Sequence, residues 1–403
     1  MHTLDAVNAP LNLYMPQNPS RVPMKTLLGE LRRRRSQMLH LLEQFVCLES
    51  PSLNKKAVDR LGQLVAAEWR RRGANVHVVR QRTCGNQLRA EIHFAEGPPA
   101  GQLLILGHLD TVHPLGTLAK MPFRVAQGRA WGPGTFDMKS GLVLALFAVD
   151  ALRAAGLRPR KRLVFFWNSD EETGSQTSRR AIECEARRSD AVLVLEPPLG
   201  RDGRLKTARK GVGSAEIRVA GRAAHAGINP QEGINAVHEL ALQMVRLMKL
   251  NNPRRGFSVQ ATVIAGGTAV NVVPDFAQAA VDIRFARLAD AARMERRLRR
   301  LRPILPGARL EVRLDAGRPP LERTPAVRRL FNHARALMRE MGSDLAEAST
   351  GGGSDGNFTA ALGVPTLDGL GAIGDGAHSP REHILIRSLP ERAALLAGLL
   401  ATL

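Results

Sequence analysis

The segment "FWNSDEETGS" sets Asp170, Glu171 and Glu172 in a row directly after the apolar run "RLVFFW". Three carboxylates that close repel, and each raises its neighbours' pKa unless a positive charge offsets them. Other apolar runs also end in polar tips. "LLILGHLDTVHP" delivers His108 and Asp110, "AWGPGTFDMKSG" Asp137, and "VLVLEP" Glu196, while "GDGAHSPREH" brings His378 from the far end of the chain. Imidazoles and carboxylates gathered together are a donor set for a divalent cation, and zinc takes both. Singly, each residue has an ordinary explanation. A histidine after a strand is commonly a satisfied surface or core residue, a Glu pair in a loop is commonly solvated, and a glycine-rich turn is commonly only a turn. Five polar tips on successive segments favour the joint reading, in which the positive charge beside Glu171 and Glu172 is a metal.

The elements that must position these tips alternate. Helical spacing over Leu27–Leu48 and Lys55–Arg72, the latter stopped by Gly73, predicts two helices. The strands "NVHVVR", "QLRAEIHF" and "QLLILG" follow, then the apolar helix "SGLVLALFAVDALRAAG" and the strands "RLVFFW" and "DAVLVLEP". Short apolar strands alternating with helices predict an α/β domain with a mostly parallel, covered sheet, whose carboxyl edge is where ligands bind. From Gly213 the order becomes β-α-β-β-α-β, the split βαβ pattern of a ferredoxin-like sandwich. The expected division is a loose leader over 1–24, a first domain part over 25–208, an inserted unit over 209–316 and a second domain part over 317–403.

Composition sets the outer limits. The chain has 403 residues, 44% hydrophobic and 24% charged, which is ordinary for a soluble globular protein. No run is apolar enough to cross a bilayer, and the start of the chain does not read as a secretory signal. Three scattered cysteines, Cys47, Cys84 and Cys184, form no disulfide framework, and a cytoplasmic location is expected. The formal net charge of +21 could attract nucleic acid. The arginines are spread along the chain, however, with "LRRRRS" the densest cluster, and only 4% of residues are aromatic, which leaves little for base stacking. The charge is taken as a solvated surface; neither a nucleic-acid nor a membrane partner is expected.

"GHLDTVHP", "GPGTFDMKSG", "DEETGS" and "GAHS" together resemble the co-catalytic zinc amidohydrolases of the M20 metallopeptidase family, over nearly the whole chain and in order. "TARKGVG", "AAHAGINPQEGINAV", "VNVVPD" and "GGGSDGNF" are similar to its glutamate-carboxypeptidase-like branch. The resemblance implies a zinc-exopeptidase-like catalytic domain and makes the inserted unit a lid and dimerisation domain. It makes Asp137 a bridge between two zinc ions, with His108 and Glu196 completing one shell and Glu172 and His378 the other. Asp110 would accept the second ring N–H of His108, and Glu171 would be general base and then acid. Adjacent residues of an extended segment point opposite ways, so Glu172 could face metal and Glu171 water. The lid's His225 would reach a partner subunit's site in a homodimer. Arg284 would bind the substrate's α-carboxylate, and Asn271, Lys210 and Gly353 would line the same pocket. His113 and His383 fall outside the metal pattern, and Asp170 is assigned to bonding the turn. Phe136 stands where the family often has a small residue, and either narrows the pocket or packs beneath the turn.

The reaction implied is hydrolysis of an amide in an N-acyl or N-peptidyl amino acid, with a glutamate carboxypeptidase leading. A deacylase of the acetylornithine or succinyl-diaminopimelate type is the alternative, and a basic nucleic-acid binder is the alternative from another class. Oxygen and nitrogen ligands also accept cobalt or manganese in place of zinc.

Overall fold

The computed structural model describes residues 22–403, so the expected leader falls mostly outside it. Val22 and Met24 are already buried, and the first helix begins at Met24. That helix, Met24–Arg33, breaks at Arg34 and a second one runs Arg35–Cys47, where the sequence pattern predicts one continuous helix. The break falls inside the arginine run, where no apolar side chain carries the buried stripe across, and Arg33 and Arg34 both pair with Glu30. The third helix, Lys55–Arg71, starts on an Asn54 cap and stops before Gly73, which takes a left-handed φ of 62°.

A six-stranded sheet forms the centre, in the order Asn75–Val79, Gln87–Ile92, Arg162–Asn168, Gln102–His108, Ala191–Val194, Thr366–Leu367. Only Gln87–Ile92 runs against the rest. Its strands Arg162–Asn168, Gln102–His108 and Ala191–Val194 are buried along nearly their whole length, as a sheet covered on both faces requires. Trp69, Phe165 and Trp167 stack under it, with Trp69 and Phe165 centroids 4.2 Å apart. The helix Ser140–Ala154 has almost every residue buried and packs against the closing helix Ser388–Thr402. No helix among the described residues is long and apolar enough to cross a membrane.

The inserted unit is an antiparallel sheet in the order Ser258–Gly266, Phe276–Phe285, Gly211–Ala220, Arg309–Arg318. The helices Ala236–Met248 and Leu288–Arg299 join its strands, completing β-α-β-β-α-β around a core of its own. Its last strand runs two residues beyond position 316, to Arg318. The connection into it passes directly from the strand Leu205–Arg209, which belongs with Glu347–Thr350, through Lys210 to Gly211.

Leu146, fully buried in the central helix, provides a check on this packing. Leu146→Ala is expected to destabilise the protein by about 2–5 kcal/mol through lost burial and a residual cavity, read as a lowered urea midpoint at constant slope.

Candidate active site

Parallel pairing brings the polar tips to one edge. His108 sits opposite Asn168 in the register, so the turn carrying Asp170, Glu171 and Glu172 leaves the sheet beside it. Ala191–Val194 lies on the other side of Gln102–His108 and continues to Glu196. Asp137 arrives from the turn Thr135–Lys139 that opens the buried helix. His378 comes from the hairpin between Gly374–Asp375 and His383–Leu385, at a left-handed φ of 60°, a conformation non-glycine residues seldom take.

The two histidines take one oxygen of Asp137 each. His108 Nε2 lies 3.3 Å from Asp137 Oδ1 and 3.5 Å from Glu196 Oε1. His378 Nε2 lies 3.2 Å from Asp137 Oδ2 and 3.2 Å from Glu172 Oε2. Five residues remote in sequence thus form two half-sites that share one carboxylate. Burial disfavours a charged His108, yet Asp110, Asp137 and Glu196 outweigh it and hold the imidazole well above its ordinary pKa. Bonds from Asp137 and Glu172 push His378 up to about 10. Glu172 Oε1 is buried with no hydrogen-bond partner among the described residues. A centre that draws protons onto both imidazoles and still leaves a buried carboxylate oxygen unserved fits divalent cations. Ligand atoms of His108, Asp137 and Glu172 come within 4.8 Å of one another, as do those of His108, Glu171 and Glu196.

The supporting bonds depart in two places from the expectations. His108 Nδ1 is bonded to the backbone carbonyl of Asp110 at 2.9 Å, while the carboxylate Oδ1 is farther, at 3.4 Å. Asp110's carboxylate instead accepts the N–H groups of Glu171 and Glu172, at 3.2 Å each, and the Ser52 hydroxyl at 2.7 Å. It therefore orients the ring through its main chain and the Glu171–Glu172 turn through its side chain. That turn is a short 3-10 segment, Glu171–Thr173, and is not extended. Successive side chains then differ by about 120°, which still separates Glu172, on His378, from Glu171. Asp170 bonds the turn as expected, accepting from Thr177 N at 2.7 Å and Ser178 Oγ at 2.6 Å. Phe136 is buried and packs beneath the turn against Gly374, where an added Cβ would come within 2.8 Å of the ring.

Three cations around the centre were not anticipated. Arg318 donates to Glu171 Oε1 and, at 2.8 Å, to the Glu171 carbonyl, and lies 3.6 Å from Asp355. Burial nevertheless pushes Glu171 up to about 8, against Arg318 and with help from the charge of Glu196. Arg209 forms a two-pronged pair with Asp368 at 2.7 and 2.8 Å and sits 3.9 Å from Glu196. Lys206 is buried beside the Glu196–Pro198 turn, with no hydrogen bond or ion pair to its ammonium among the described residues. Burial and the neighbouring Arg209 lower its pKa, opposed by Asp368, Glu196 and Asp137. Lys210, the expected lysine, follows the strand Leu205–Arg209 and runs instead beside Gly256 of the inserted unit. The signal that could have found these residues was a basic side chain in each connection to the inserted unit.

The other expected pocket residues make no hydrogen bond to the five-residue cluster among the described residues. Arg284 is held by Asp282 at 3.0 Å and donates to the Gly351 carbonyl at 3.3 Å, across the junction of the two units. Gly353 accepts from Arg209 at 3.1 Å and abuts Arg318, whose Cδ would lie 3.1 Å from an added Cβ. Asn271 is exposed and its carbonyl accepts from Ala226 N. His225 is exposed and touches no member of the cluster; its Nδ1 accepts from Gly227 N and Ile228 N at 3.1 and 3.2 Å. His113 pairs with Glu382, and His383 lies on Trp131 with centroids 4.4 Å apart.

Residues 104–402 match peptidase family M20/M25/M40. The chain belongs to that family. It is 32% identical to carboxypeptidase G2 of Pseudomonas sp. (strain RS-16) over 371 residues, 91% of this chain and 89% of the relative. It is 31% identical to succinyl-diaminopimelate desuccinylase of Dechloromonas aromatica (strain RCB), over 76% of this chain and 85% of the relative. Among solved structures, aminopeptidase PepT of Bacillus cereus superposes with a TM-score of 0.76 at 19% identity, covering 91% of this chain and 98% of that one. The YXEP protein of Bacillus subtilis, described as a dinuclear metal-binding peptidase of the M20 family, superposes at 0.68 with 16% identity, over 92% and 98%. This M20 protein is thus a hydrolase of the metallopeptidase and amidohydrolase type.

Divalent ions should stabilise it by mass action. Adding zinc to chelator-stripped protein at a hundred times its Kd is expected to contribute about 2.7 kcal/mol. A melting temperature indifferent to zinc, cobalt and manganese would count against the donor set described.

Proposed function

We propose that this M20 enzyme hydrolyses the amide bond of N-acyl or N-peptidyl amino acids that carry a free α-carboxylate, with glutamate-type carboxypeptidase activity foremost. The observation that carries this reading is the division of Asp137 between His108 and His378, with Glu171 buried alongside. His108, Glu196 and Asp137 would hold one zinc ion, and His378, Glu172 and Asp137 the other. When bound, the two ions supply Lewis acidity toward water and the scissile carbonyl. Glu171 moves the protons. Arg318 occupies its Oε1, and Oε2 has no protein donor among the described residues, so Oε2 is free to accept a proton from water as the water oxygen bonds to the carbonyl carbon. The same oxygen returns that proton to the nitrogen as the C–N bond breaks. A carboxyl poised near neutrality suits both steps. Arg284 would grip the substrate carboxylate with two parallel N–H groups, a task for which a guanidinium is shaped.

His225 would complete a partner's site. With Nδ1 accepting two N–H groups, a neutral ring carries its proton on Nε2 and presents a donor outward. An apolar strip on the inserted unit supports pairing of two copies. The edge strand Ser258–Gly266 exposes Val263 and Ile264, and the helix packed on it exposes Val245 and Met248.

The second reading, a deacylase of N-acyl amino acids, is favoured by the similarity to desuccinylases and to the acetylornithine deacetylase of Erwinia tasmaniensis, 29% identical over 61% of this chain. A panel of dipeptides and N-acyl amino acids, assayed with zinc, decides between them; no turnover with two ions bound would remove the substrate class. On the preferred substrate, Glu171→Gln is expected to lower kcat about 10²–10⁴-fold while metal content stays at the parent level. Val245→Asp combined with Val263→Asp is expected to give a monomer by light scattering. Its kcat should fall by about a hundredfold or more, the scale of a lost oxyanion donor. A fully active monomer would contradict the role given to His225.

A further inference from the structure

Glu382 is fully buried, yet no arginine pairs with it and no lysine comes within ion-pair range among the described residues. Its carboxylate is nonetheless saturated. Oε1 accepts the N–H groups of Phe136 and Asp137, both at 2.9 Å, and Oε2 accepts Gly134 N at 2.9 Å and His113 Nε2 at 2.7 Å. Four donors fill about the four lone-pair sites that a carboxylate offers. Its backbone carbonyl also accepts from Gly132 N at 3.3 Å. These bonds join the three segments that carry His108, Asp137 and His378. His113 leaves the same strand end as His108, Gly134–Asp137 is the turn that presents Asp137, and Glu382 lies in the hairpin that carries His378.

We infer that Glu382 is a positioning residue that fixes where Asp137 stands between the two histidines, so that each of its oxygens faces a different imidazole. The inference rests on the dinuclear reading above. A carboxylate that merely capped the Gly132–Asp137 turn would need only the backbone donors. The His113 bond extends the tie to the His108 segment, which a cap does not require. His113, outside the metal pattern in sequence, thereby acquires a place in the site.

Glu382→Gln keeps one oxygen for Phe136 and Asp137 but turns an amide NH₂ toward Gly134 N–H, donor against donor, and forces His113 to switch tautomer to keep its bond. Cobalt titrated into chelator-stripped protein reads the consequence by calorimetry and by its absorption spectrum. The expected result is a ten- to hundredfold loss of cobalt affinity, the range for residues that support metal ligands, with an altered spectrum. At a cobalt concentration that just saturates the parent, kcat of the variant should fall with KM little changed, and excess cobalt should restore it. Glu171→Gln, by contrast, should bind cobalt normally and gain nothing from excess. Parent-like affinity and spectrum in Glu382→Gln would overturn the inference, whatever its melting temperature. Should that variant not fold, His113→Phe, which leaves three of the four bonds, is expected to weaken cobalt binding in the same direction by a smaller factor; unchanged binding would overturn the inference equally. If the parent protein itself binds fewer than two ions, the dinuclear reading fails instead.

Discussion

Asp137 is shared between two imidazoles in a pocket already crowded with carboxylates, and the placement of counter-charges follows from that. Asp110, Asp355 and Asp368 are buried nearby, and Glu171, Glu172 and Glu196 lie at the same edge. Charges a few ångströms apart in a partly desolvated site interact by several kcal/mol, so none of these groups can be left to bulk water. The permanent cations pair with carboxylates around the two imidazoles: Arg209 takes Asp368 and approaches Glu196, and Arg318 takes Glu171 and approaches Asp355. Among the described residues, the carboxylates of Asp137 and Glu172 pair only with imidazoles. A guanidinium on either would occupy the place the donor set reserves for an ion.

Precision of this kind needs a stiff platform, and the sheet supplies it. His108 ends one parallel strand, Glu196 stands just beyond another, and Glu172 lies in a turn whose N–H groups are held by Asp110. The strands are covered by side chains with almost no exposure, so a shift of one tip would strain close-packed neighbours. Rigid elements hold a constellation more closely than loops do. The candidate ligand on an exposed hairpin, His378, has its backbone at a left-handed φ of 60°. That hairpin is secured by the buried Glu382.

Most of the acceptor side of the site was legible in the sequence, because every acidic or imidazole tip except the hairpin's His378 follows an apolar strand or opens an apolar helix. The α/β sheet and the β-α-β-β-α-β insertion were legible for the same reason: hydrophobic periodicity is local. The donor side was not. Arg318 meets Glu171 across 147 positions and His113 meets Glu382 across 269, and no spacing rule connects residues so far apart. Lys210 and Lys206 illustrate the finer limit. Both are lysines on the way into the insertion, and only the register of the strand Leu205–Arg209 against Glu347–Thr350, with its irregularity between Ala348 and Ser349, decides which one lies beside the carboxylates. The split of the first helix at Arg34 was hidden by the apolar residues on either side, which continue a helical pattern through a run of charge.

The inserted unit is joined to the rest by two strands, and each carries an arginine into the centre. Arg209 ends the strand that leads into it, and Arg318 ends the strand that leads out. Their partners, Asp368, Glu196, Glu171 and Asp355, all belong to the catalytic domain. A buried pair loses several kcal/mol when one partner is withdrawn, because the other is left charged and unpaired. Displacing the insertion by more than a small rotation about these strands would therefore disturb the charge balance at Glu171 and Glu196 directly. The insertion is thus fastened at the chemical centre, while its edge strand exposes Val263 and Ile264 and the separate short strand Ala224–His225 exposes His225. That geometry lets the outer edge engage other surfaces while the two arginines keep the general-base candidate and the acidic tips in register.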